Sequence, residues 1–311
     1  MSQSFDSRVA VSFDSLVELK LKAEGFTLPP LSKSRSRQSG GHVSRFRGRG
    51  LNFEEFRHYQ MGDDIRSIDW NVTQRMGEPY IRVQSEEKDL PVVLVVDQRT
   101  SMFFSSVDTM KSVVAAQIAS CCAWKVAKDG DRVAALIFSD SYHHWFKPQR
   151  HTSHVTRILQ SLAQTNQQLL ESGSGSSESG LSLALNQLAQ MKLKGSLVLF
   201  ISDFNGVSET DVQRIKWLKR HNDVMAVAIN DPMETNLEID QSMIISNGRL
   251  QLPVDTSLNR QLAKYNHNVK KVYKAIHDVL SSQSLNVIRL NTSGKHIASF
   301  INQINGGSGA R

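Results

Sequence analysis

Polar side chains that could hold a metal ion follow two buried-looking strands of the sequence. Asp97 and Ser101 come directly after an aliphatic run, Asp203 follows a second such run, and Ser179 stands just before a helical stretch. Carboxylate and hydroxyl oxygens are the donors that a hard divalent cation such as Mg²⁺ binds, about six at a time with waters included. These four side chains are therefore candidate Mg²⁺ ligands, and a partner's carboxylate could complete the coordination sphere.

Arg99 lies in the middle of this cluster and offers an alternative to the metal. A guanidinium is always charged and can bridge two carboxylates with its fork of donors. At about 4 Å its repulsion from a divalent ion would be several kcal/mol in a partly buried crevice. The sequence leaves two alternatives. In the first, which is preferred, Arg99 replaces the metal and staples Asp97 to Asp203; in the second, it swings outward and Mg²⁺ binds.

The elements that must position these residues alternate along the chain. From residue 91 onward, short apolar runs alternate with amphipathic helical stretches, a pattern typical of a parallel sheet covered on both faces. Loops at the carboxyl ends of the strands flanking a topological switch form a crevice, so Asp97 and Asp203 are expected to share it. The predicted strands are Val92–Val96, Arg132–Phe138, Leu197–Ile201, Val224–Ile229 and Asn286–Leu290, with an edge partner at Tyr142–Phe146, and the predicted helices cover 107–128, 152–170, 178–192 and 209–220.

Two further elements are predicted late in the chain. The stretch MIISNGRLQLPV has two apolar runs about Asn247 and Gly248. An Asn-Gly pair between apolar runs predicts a hairpin, here an insertion near 243–254. A long helix is expected to begin near Asp255–Ser257 and to continue to Leu280 before the last strand.

Residues 51–90 differ from the rest because they are crowded with opposing charges and aromatic residues. They predict a compact β-rich element in which Asp69–Gln74 pairs with Tyr80–Ser85 across a turn at Met76–Glu78. An acidic cluster in this element could chelate metals for phosphodiester hydrolysis, which is the alternative enzymatic function. The cluster consists of Glu54, Glu55, Asp63, Asp64 and Asp69.

Interleaved arginines favour a different role for that acidic cluster. Arg57, Arg66, Arg75 and Arg82 offer a partner for nearly every acid, which predicts a salt-bridge network or a protein-docking face. Trp70 is expected to pack beneath the network. The predicted interaction surface is Arg57, Asp63, Asp64, Arg66, Asp69 and Trp70.

The basic charge of the chain is concentrated near its start. The net charge is +7, and residues 1–50 hold nine Lys and Arg against four Asp and Glu. Residues 31–50 contain no acid and enough Ser and Gly to resist packing, which predicts a flexible basic arm after an N-terminal helix. The arm could bind anions weakly, and a nucleic-acid partner is the third alternative, although no base-reading pattern accompanies it. Its cations are Lys33, Arg35, Arg37, Arg45, Arg47 and Arg49.

Composition bounds the class of protein and its compartment. The 311 residues suffice for one large domain with an appendage, and we divide them at 1–50, 51–90 and 91–311. No apolar run approaches the roughly 18 residues of a membrane span, which predicts a cytoplasmic protein. The neighbours Cys121 and Cys122 predict buried thiols and no disulfide.

The polar residues at the strand ends resemble the metal ion-dependent adhesion site of von Willebrand factor A-like domains. Asp97 and Ser101 match the first and third positions of its first motif, and Asp203 matches its last aspartate. Ser179 stands where the family usually has threonine, and Arg99 replaces the first serine. The resemblance implies a von Willebrand factor A-like, doubly wound, mostly parallel α/β sheet, here with an N-terminal β-rich extension and a degenerate site.

The resemblance is more specific over residues 48–90, which begin GRGLNFEEFRHYQMGDDIRSIDW. This stretch is similar to the signature that precedes the A-like domain in the domain of unknown function family 58, and INDPMETNL and DTS further along are also similar to that family. The resemblance implies a chaperone-like, non-catalytic adaptor. It would work with a MoxR-type AAA+ ATPase on protein clients during complex assembly or maturation.

Overall fold

The computed structural model describes residues 6–29, 51–86, 91–171, 179–235, 243–246, 251–254 and 285–306. The chain folds as two compact units. Residues 1–36 and 90–311 form the α/β unit, and residues 37–89 form the inserted unit. The division of the sequence at residues 50 and 90 stays a prediction.

A six-stranded sheet organises the α/β unit. Its strands are β3 (Pro91–Asp97), β4 (Arg132–Phe138), β5 (His143–Gln149), β6 (Leu197–Ser202), β7 (Asp223–Asn230) and β10 (Asn286–Asn291). Their spatial order is β10-β7-β6-β3-β4-β5, with β5 antiparallel to β4 at one edge and all other neighbours parallel. The chain runs outward from β3 in one direction and then outward from β6 in the other, so the topological switch lies between these two strands. The predicted doubly wound, mostly parallel fold class is confirmed.

Helices cover both faces of this sheet. They are α3 (Lys111–Lys128), α4 (Thr152–Glu171), α5 (Ser179–Gln190), α6 (Glu209–His221), the short α7 (Pro232–Thr235) and α8 (His296–Gly306). Alternate residues of β3 point to opposite faces. Val92, Leu94 and Val96 pack with α3, α4 and α8, whereas Val93 and Val95 pack with α5 and α6. Because β3 is buried on both faces, its apolar residues form one unbroken run.

The N-terminal segment, residues 6–29, packs against helices of the α/β unit, of which it is part. Its first helix, α1 (Phe13–Glu18), begins at a Ser12 capping box, and a 3₁₀ helix (Leu19–Gly25) follows. The segment lies against α3 and α4, and Leu16 is fully buried in the same core as α3. The carbonyl oxygen of Leu16 accepts hydrogen bonds from Ser120 Oγ at 2.6 Å and Trp124 Nε1 at 3.2 Å. The predicted N-terminal helix is thus an integral part of the α/β core.

The inserted unit pairs two strands that flank a short helix. Strand β1 (Leu51–His58) is antiparallel to β2 (Tyr80–Glu86), and α2 (Trp70–Met76) lies between them in sequence. The predicted pairing of residues 69–74 with 80–85 is wrong, because only a single bridge between Ile68 and Ile81 forms there. Asp69 caps α2 by accepting from two backbone amides, and Gly77 ends it with a positive φ of 76°.

The late hairpin is described only in its strands. Strand β8 (Met243–Ser246) pairs antiparallel with β9 (Gln251–Val254), as the predicted hairpin requires. The turn at Asn247 and Gly248, the predicted helix over 255–280 and the basic arm over 31–50 lie outside the described residues. No helix among the described residues is long and apolar enough to cross a membrane.

The two cysteines lie in α3, and both are free and buried, as predicted. Burial raises the pKa of the Cys121 thiol to about 12. Because the thiolate is the reactive form, this thiol is a packing residue and a poor nucleophile at neutral pH.

The core also holds His296, the first residue of α8, as a neutral imidazole. Its Nε2 lies 2.6 Å from Gln117 Oε1 on α3. Burial, and then the charge of Lys22, lowers the pKa of His296 from 6.5 to about 4, although Asp108 opposes the shift. A depressed histidine pKa means that the unfolded chain takes up a proton that the folded chain resists. Stability from this residue is therefore present above about pH 6.5 and lost as the pH falls toward 4.

Replacing His296 by glutamine should flatten this pH dependence, because the amide can still donate to Gln117 but does not titrate. Urea unfolding at about pH 7 and about pH 5 should show the wild-type loss reduced by roughly 2 kcal/mol in His296→Gln. His143→Gln, on the exposed edge of β5, is the matched control and should keep the wild-type slope. An unchanged slope in His296→Gln would mean that other groups carry the acid sensitivity.

Candidate functional site

The topological switch brings two carboxylates to the same crevice. Asp97 is the last residue of β3, and Asp203 directly follows β6, the strand hydrogen-bonded to β3. Both side chains are almost completely buried. Ser202 Oγ donates to Asp97 Oδ2 at 2.6 Å, and the amide of Asn205 donates to Asp203 Oδ1 at 2.9 Å. The parallel pairing of β3 with β6 is therefore what holds these carboxylates beside each other.

Arg99 lies between the two carboxylates. Its Nε and Nη2 donate to Asp97 Oδ1 and Oδ2 at 3.0 and 2.7 Å, and Nη2 also lies 3.3 Å from Asp203 Oδ1. Its Nη1 donates to the carbonyl oxygen of Asn205 at 3.1 Å. The guanidinium thus joins the loops after β3 and β6 in the way that the metal-free alternative of the sequence requires.

A second buried cation, Lys111, completes the cluster. Its Nζ donates to Asp203 Oδ2 at 3.0 Å and to Glu234 Oε1 at 2.5 Å. Only 1% of the Lys111 side chain is exposed. Sequence reasoning missed this residue, although a signal exists. Lys111 opens a helix that is buried almost throughout, and the positive end of a helix dipole disfavours a cation there unless carboxylates face it.

Burial and pairing shift the pKa values of this cluster in opposite directions. Burial raises the pKa of Asp97, against the opposing effect of Arg99. Burial acts the same way on Asp203, but Lys111 and Arg99 outweigh it, so its pKa is lowered. For Lys111, burial favours the neutral amine, yet Asp203 and Glu234 dominate and raise its pKa. Both oxygens of Asp97 accept hydrogen bonds, from Arg99 and from Ser202, and such donors favour the ionised form against the effect of burial.

The remaining predicted metal ligands are two serines. Ser101 lies in a 3₁₀ turn (Thr100–Met102) after β3, and its Oγ is buried without a hydrogen-bond partner among the described residues. Ser179 is the first residue of α5, but its side chain lies outside the described residues. The structure therefore places Asp97, Arg99 and Asp203 in one cluster. That Ser101 and Ser179 act with them as metal ligands stays a prediction.

A divalent cation does not fit this cluster as it is folded. Every carboxylate oxygen of Asp97 and Asp203 already accepts a hydrogen bond, most of them from Arg99 or Lys111. A metal bound there would have to displace these donors and lie beside two positive charges. Across the described part of the chain, no three His, Cys, Asp or Glu side chains are grouped closely enough to hold a metal ion.

Hydrogen bonds also connect the loops around the crevice. Asp231, which follows β7 in the INDPMETNL stretch, accepts from the amide of Ser106 at 2.8 Å and from Thr292 Oγ1 at 2.6 Å. Burial opposes its ionisation, but these donors lower the pKa of Asp231 overall. Asp140, after β4, accepts from the amide of Thr100 at 2.7 Å. These bonds join the loops that follow β3, β4, β7 and β10.

The charged residues of the inserted unit form separate pairs. Arg57 Nη2 lies 3.0 Å from Asp63 Oδ1, and Arg82 pairs with Asp69. Asp64 accepts from the amide of Arg66 and so caps the 3₁₀ turn at Ile65–Ser67. These three aspartates therefore do not converge as the two-metal hydrolase alternative requires. The side chains of Glu54 and Glu55 lie outside the described residues, and Arg75 is exposed at the end of α2.

The expectation that Trp70 packs beneath these pairs is wrong. As the first residue of α2, it is 66% exposed. The residue that does contact the ion pair is its neighbour Asp69, which caps the helix by accepting from the amides of Asn71 and Val72 and pairs with Arg82.

A family model described as "Protein of unknown function DUF58" matches residues 55–271. Among curated proteins, the uncharacterized proteins Mb1516 of Mycobacterium bovis and Rv1480 of Mycobacterium tuberculosis are each 26% identical over 198 residues, which is 64% of this chain. The match spans 61% of the length of these relatives.

Solved structures that resemble the chain include the conserved hypothetical protein BatB of Bacteroides thetaiotaomicron. It is 14% identical, with a TM-score of 0.43, and the match covers 71% of this chain and all of BatB. The von Willebrand factor A domain of SpRpn10 is 10% identical, with a TM-score of 0.34, and covers 72% of this chain.

Proposed function

The chain belongs to the DUF58 family, and we propose that it is a non-catalytic protein-interaction adaptor that works with a MoxR-type AAA+ ATPase in the assembly or maturation of protein complexes. In this proposal the protein is cytoplasmic, and the crevice between β3 and β6 is a degenerate adhesion site. The inserted unit supplies the main contact surface. The ATPase partner and the clients are carried over from the family resemblance of residues 48–90.

The observation that carries this proposal is the apolar surface of the inserted unit. Five of the eleven large apolar side chains that stand exposed among the described residues lie between positions 56 and 76. Large exposed apolar side chains that lie together mark interaction sites on soluble proteins, and in this proposal these five form one such site. The five, which we call the apolar surface, are Phe56, Met61, Ile65, Trp70 and Met76.

The fold of the inserted unit holds Trp70 ready for contact. Asp69 is fixed by two backbone amides and by Arg82, so the start of α2 has one defined backbone conformation. The few residues that supply most of the binding energy at protein interfaces are enriched in tryptophan and arginine, and a pre-organised anchor loses less conformational entropy on binding. Trp70, which directly follows the ion-paired Asp69 in sequence, therefore suits a protein-binding hot spot.

The state of the carboxylates supports a binding role over catalysis. Asp97 and Asp203 are committed to buried cations, and Asp63, Asp64 and Asp69 are committed to Arg57, a helix cap and Arg82. A general base or metal ligand needs lone pairs that can reach a substrate. In this arrangement the carboxylates act as structural supports for surfaces that touch a partner.

Truncation of Trp70 is expected to weaken partner binding selectively. In Trp70→Ala the affinity for a purified MoxR-type AAA+ ATPase should fall roughly 30-fold or more, because a hot-spot truncation costs about 2 kcal/mol. Titration calorimetry, with and without a non-hydrolysable ATP analogue, measures this change. Since the side chain is exposed, the unfolding temperature should stay near that of the wild type.

Leu183→Ala is the matched control, because Leu183 is a large apolar side chain exposed on α5 of the other unit. It should bind the ATPase with wild-type affinity. Failure of the wild-type chain to bind in any nucleotide state would overturn the proposed partnership. Equal losses in both variants would place the contact elsewhere than the apolar surface.

A further inference from the structure

We propose that Arg99 and Lys111 together replace a divalent cation in the crevice, so that the protein is locked by its own side chains and binds no metal there. This proposal concerns the isolated chain and does not depend on the ATPase partnership. It follows from the positions of the two cations, their burial and the number of donors on each carboxylate.

The carboxylate oxygens are the first observation. Asp97 Oδ1 accepts from the amide and Nε of Arg99, and Oδ2 accepts from Arg99 Nη2 and Ser202 Oγ. Asp203 Oδ1 accepts from Asn205 and Arg99, and Oδ2 accepts from Lys111. Hydrogen-bond donors therefore satisfy the oxygen atoms of both carboxylates, as a metal ion and its bound waters would otherwise do.

The charge balance is the second observation. Asp97, Asp203 and Glu234 carry three negative charges, and Arg99 and Lys111 contribute two positive charges, the same charge as one divalent ion. The two cations are nearly inaccessible to water, with side-chain exposures of 3% and 1%. Burying an uncompensated carboxylate is strongly unfavourable, so both cations are needed for this crevice to close.

Removing one of these cations should leave the buried carboxylates without enough positive charge. Without Arg99, Asp97 and Asp203 would face each other with only Lys111 to compensate their charge. Without Lys111, Asp203 Oδ2 would lose its donor and Glu234 its partner. Mg²⁺ and Mn²⁺ bind through one or two carboxylates with hydroxyls and waters, and Ser202 Oγ already touches Asp97. We infer a latent divalent-cation site that the wild-type side chains keep closed.

Thermal unfolding of the full chain in EDTA and in millimolar Mg²⁺ or Mn²⁺ tests the proposal. The wild-type unfolding temperature should be the same in both solutions. Arg99→Ser and Lys111→Met should unfold at lower temperature in EDTA and recover by about 3 °C or more when either metal is added. Absence of metal-dependent recovery in both variants would overturn the idea of a latent site.

Two controls and one direct measurement keep the test decisive. Arg8→Ser and Lys125→Met remove cations from more exposed ion pairs and should show no metal dependence. Mn²⁺ binding to the wild type, followed by electron paramagnetic resonance, does not require any variant to fold. Wild-type Mn²⁺ binding that Asp97→Asn abolishes would overturn the proposal, whereas no binding supports it.

Discussion

Replacing Asp203 by asparagine is expected to destabilise the protein by about 3–5 kcal/mol. Asp203 contacts both buried cations of the crevice, at 3.0 Å for Lys111 and 3.3 Å for Arg99. Asparagine keeps the shape, and its Oδ1 can still accept from the Asn205 amide, but its Nδ2 is a donor and cannot accept from Lys111. The change therefore removes the charge and one acceptor. Lys111 then keeps only Glu234 and remains buried with too little compensation. Urea denaturation at neutral pH measures the loss.

A second lysine–aspartate pair on the same helix supplies the control. Lys125 and Asp129 lie 2.8 Å apart near the end of α3, a separation similar to that of Lys111 and Asp203. Their side chains are 13% and 35% exposed, against 1% and 2% for the crevice pair. Because exposed pairs contribute little, Asp129→Asn should cost no more than about 0.5 kcal/mol. Equal effects in the two variants would show that burial does not determine the strength of the crevice pair.

A double-mutant cycle separates the pair from its surroundings. Lys111→Met combined with Asp203→Asn should be less destabilising than the sum of the single changes, by roughly 1–3 kcal/mol. Methionine fills the volume of the lysine stem without its charge, so in the double variant neither Lys111 nor Asp203 is left buried without the other. Strict additivity would mean that Lys111 and Asp203 do not interact.

The sheet could be predicted because each strand carries its own local signal. Val92–Val96 is an unbroken apolar run, and the observed β3 extends it by one residue at each end. Arg132–Phe138 matches β4 at both ends. Runs of this kind are the pattern of strands buried on both faces, and amphipathic stretches between them imply parallel crossovers. The position of the crevice follows from the strand order. The sequence could therefore predict that Asp97 and Asp203 lie side by side.

The secondary structure of the inserted unit was predicted wrongly because the sequence patterns that indicate helix or strand are few there and lie close together. Residues 69–74 contain Trp70, Val72 and Thr73, which have strand propensity, yet the cap at Asp69 and the glycine at position 77 make them a helix. The partner of β2 is instead β1, which is distant in sequence. In a short segment one cap and one stop can override side-chain propensity.

Lys111 could not be assigned from the sequence because its partners are far away along the chain. Asp203 and Glu234 lie 92 and 123 positions further on, and only the folded loops after β6 and β7 bring them to the start of α3. The predicted staple by Arg99 needed only a neighbour two residues away and one strand pairing. An ion pair between residues that are close in sequence can be predicted from the sequence, whereas a cation contributed by a distant helix cannot.

The N-terminal segment is expected to contribute to the α/β unit as a core element, and Leu16→Ala tests this. The variant should lose roughly 3–5 kcal/mol of folding stability, since Leu16 is fully buried and the cavity left by a leucine truncation is costly. Leu16 packs in the same cluster as α3 and α8, where Phe300 is also fully buried. Chemical denaturation followed by tryptophan fluorescence is a suitable measurement, because Trp124 donates to the Leu16 carbonyl oxygen.

Leu21 provides the matched control from the same segment. It is 82% exposed in the 3₁₀ helix, five residues after Leu16, so Leu21→Ala should change stability by less than about 0.5 kcal/mol. The buried backbone amide of Val11 donates to Asn166 Oδ1, and Asn166 Nδ2 donates to Gln98 in the loop after β3. Loosening the segment through Leu16→Ala should therefore also raise amide exchange at Gln98 and Arg99. A large stability loss with unchanged amide exchange at these two residues would show that the segment stabilises the core but does not support the crevice.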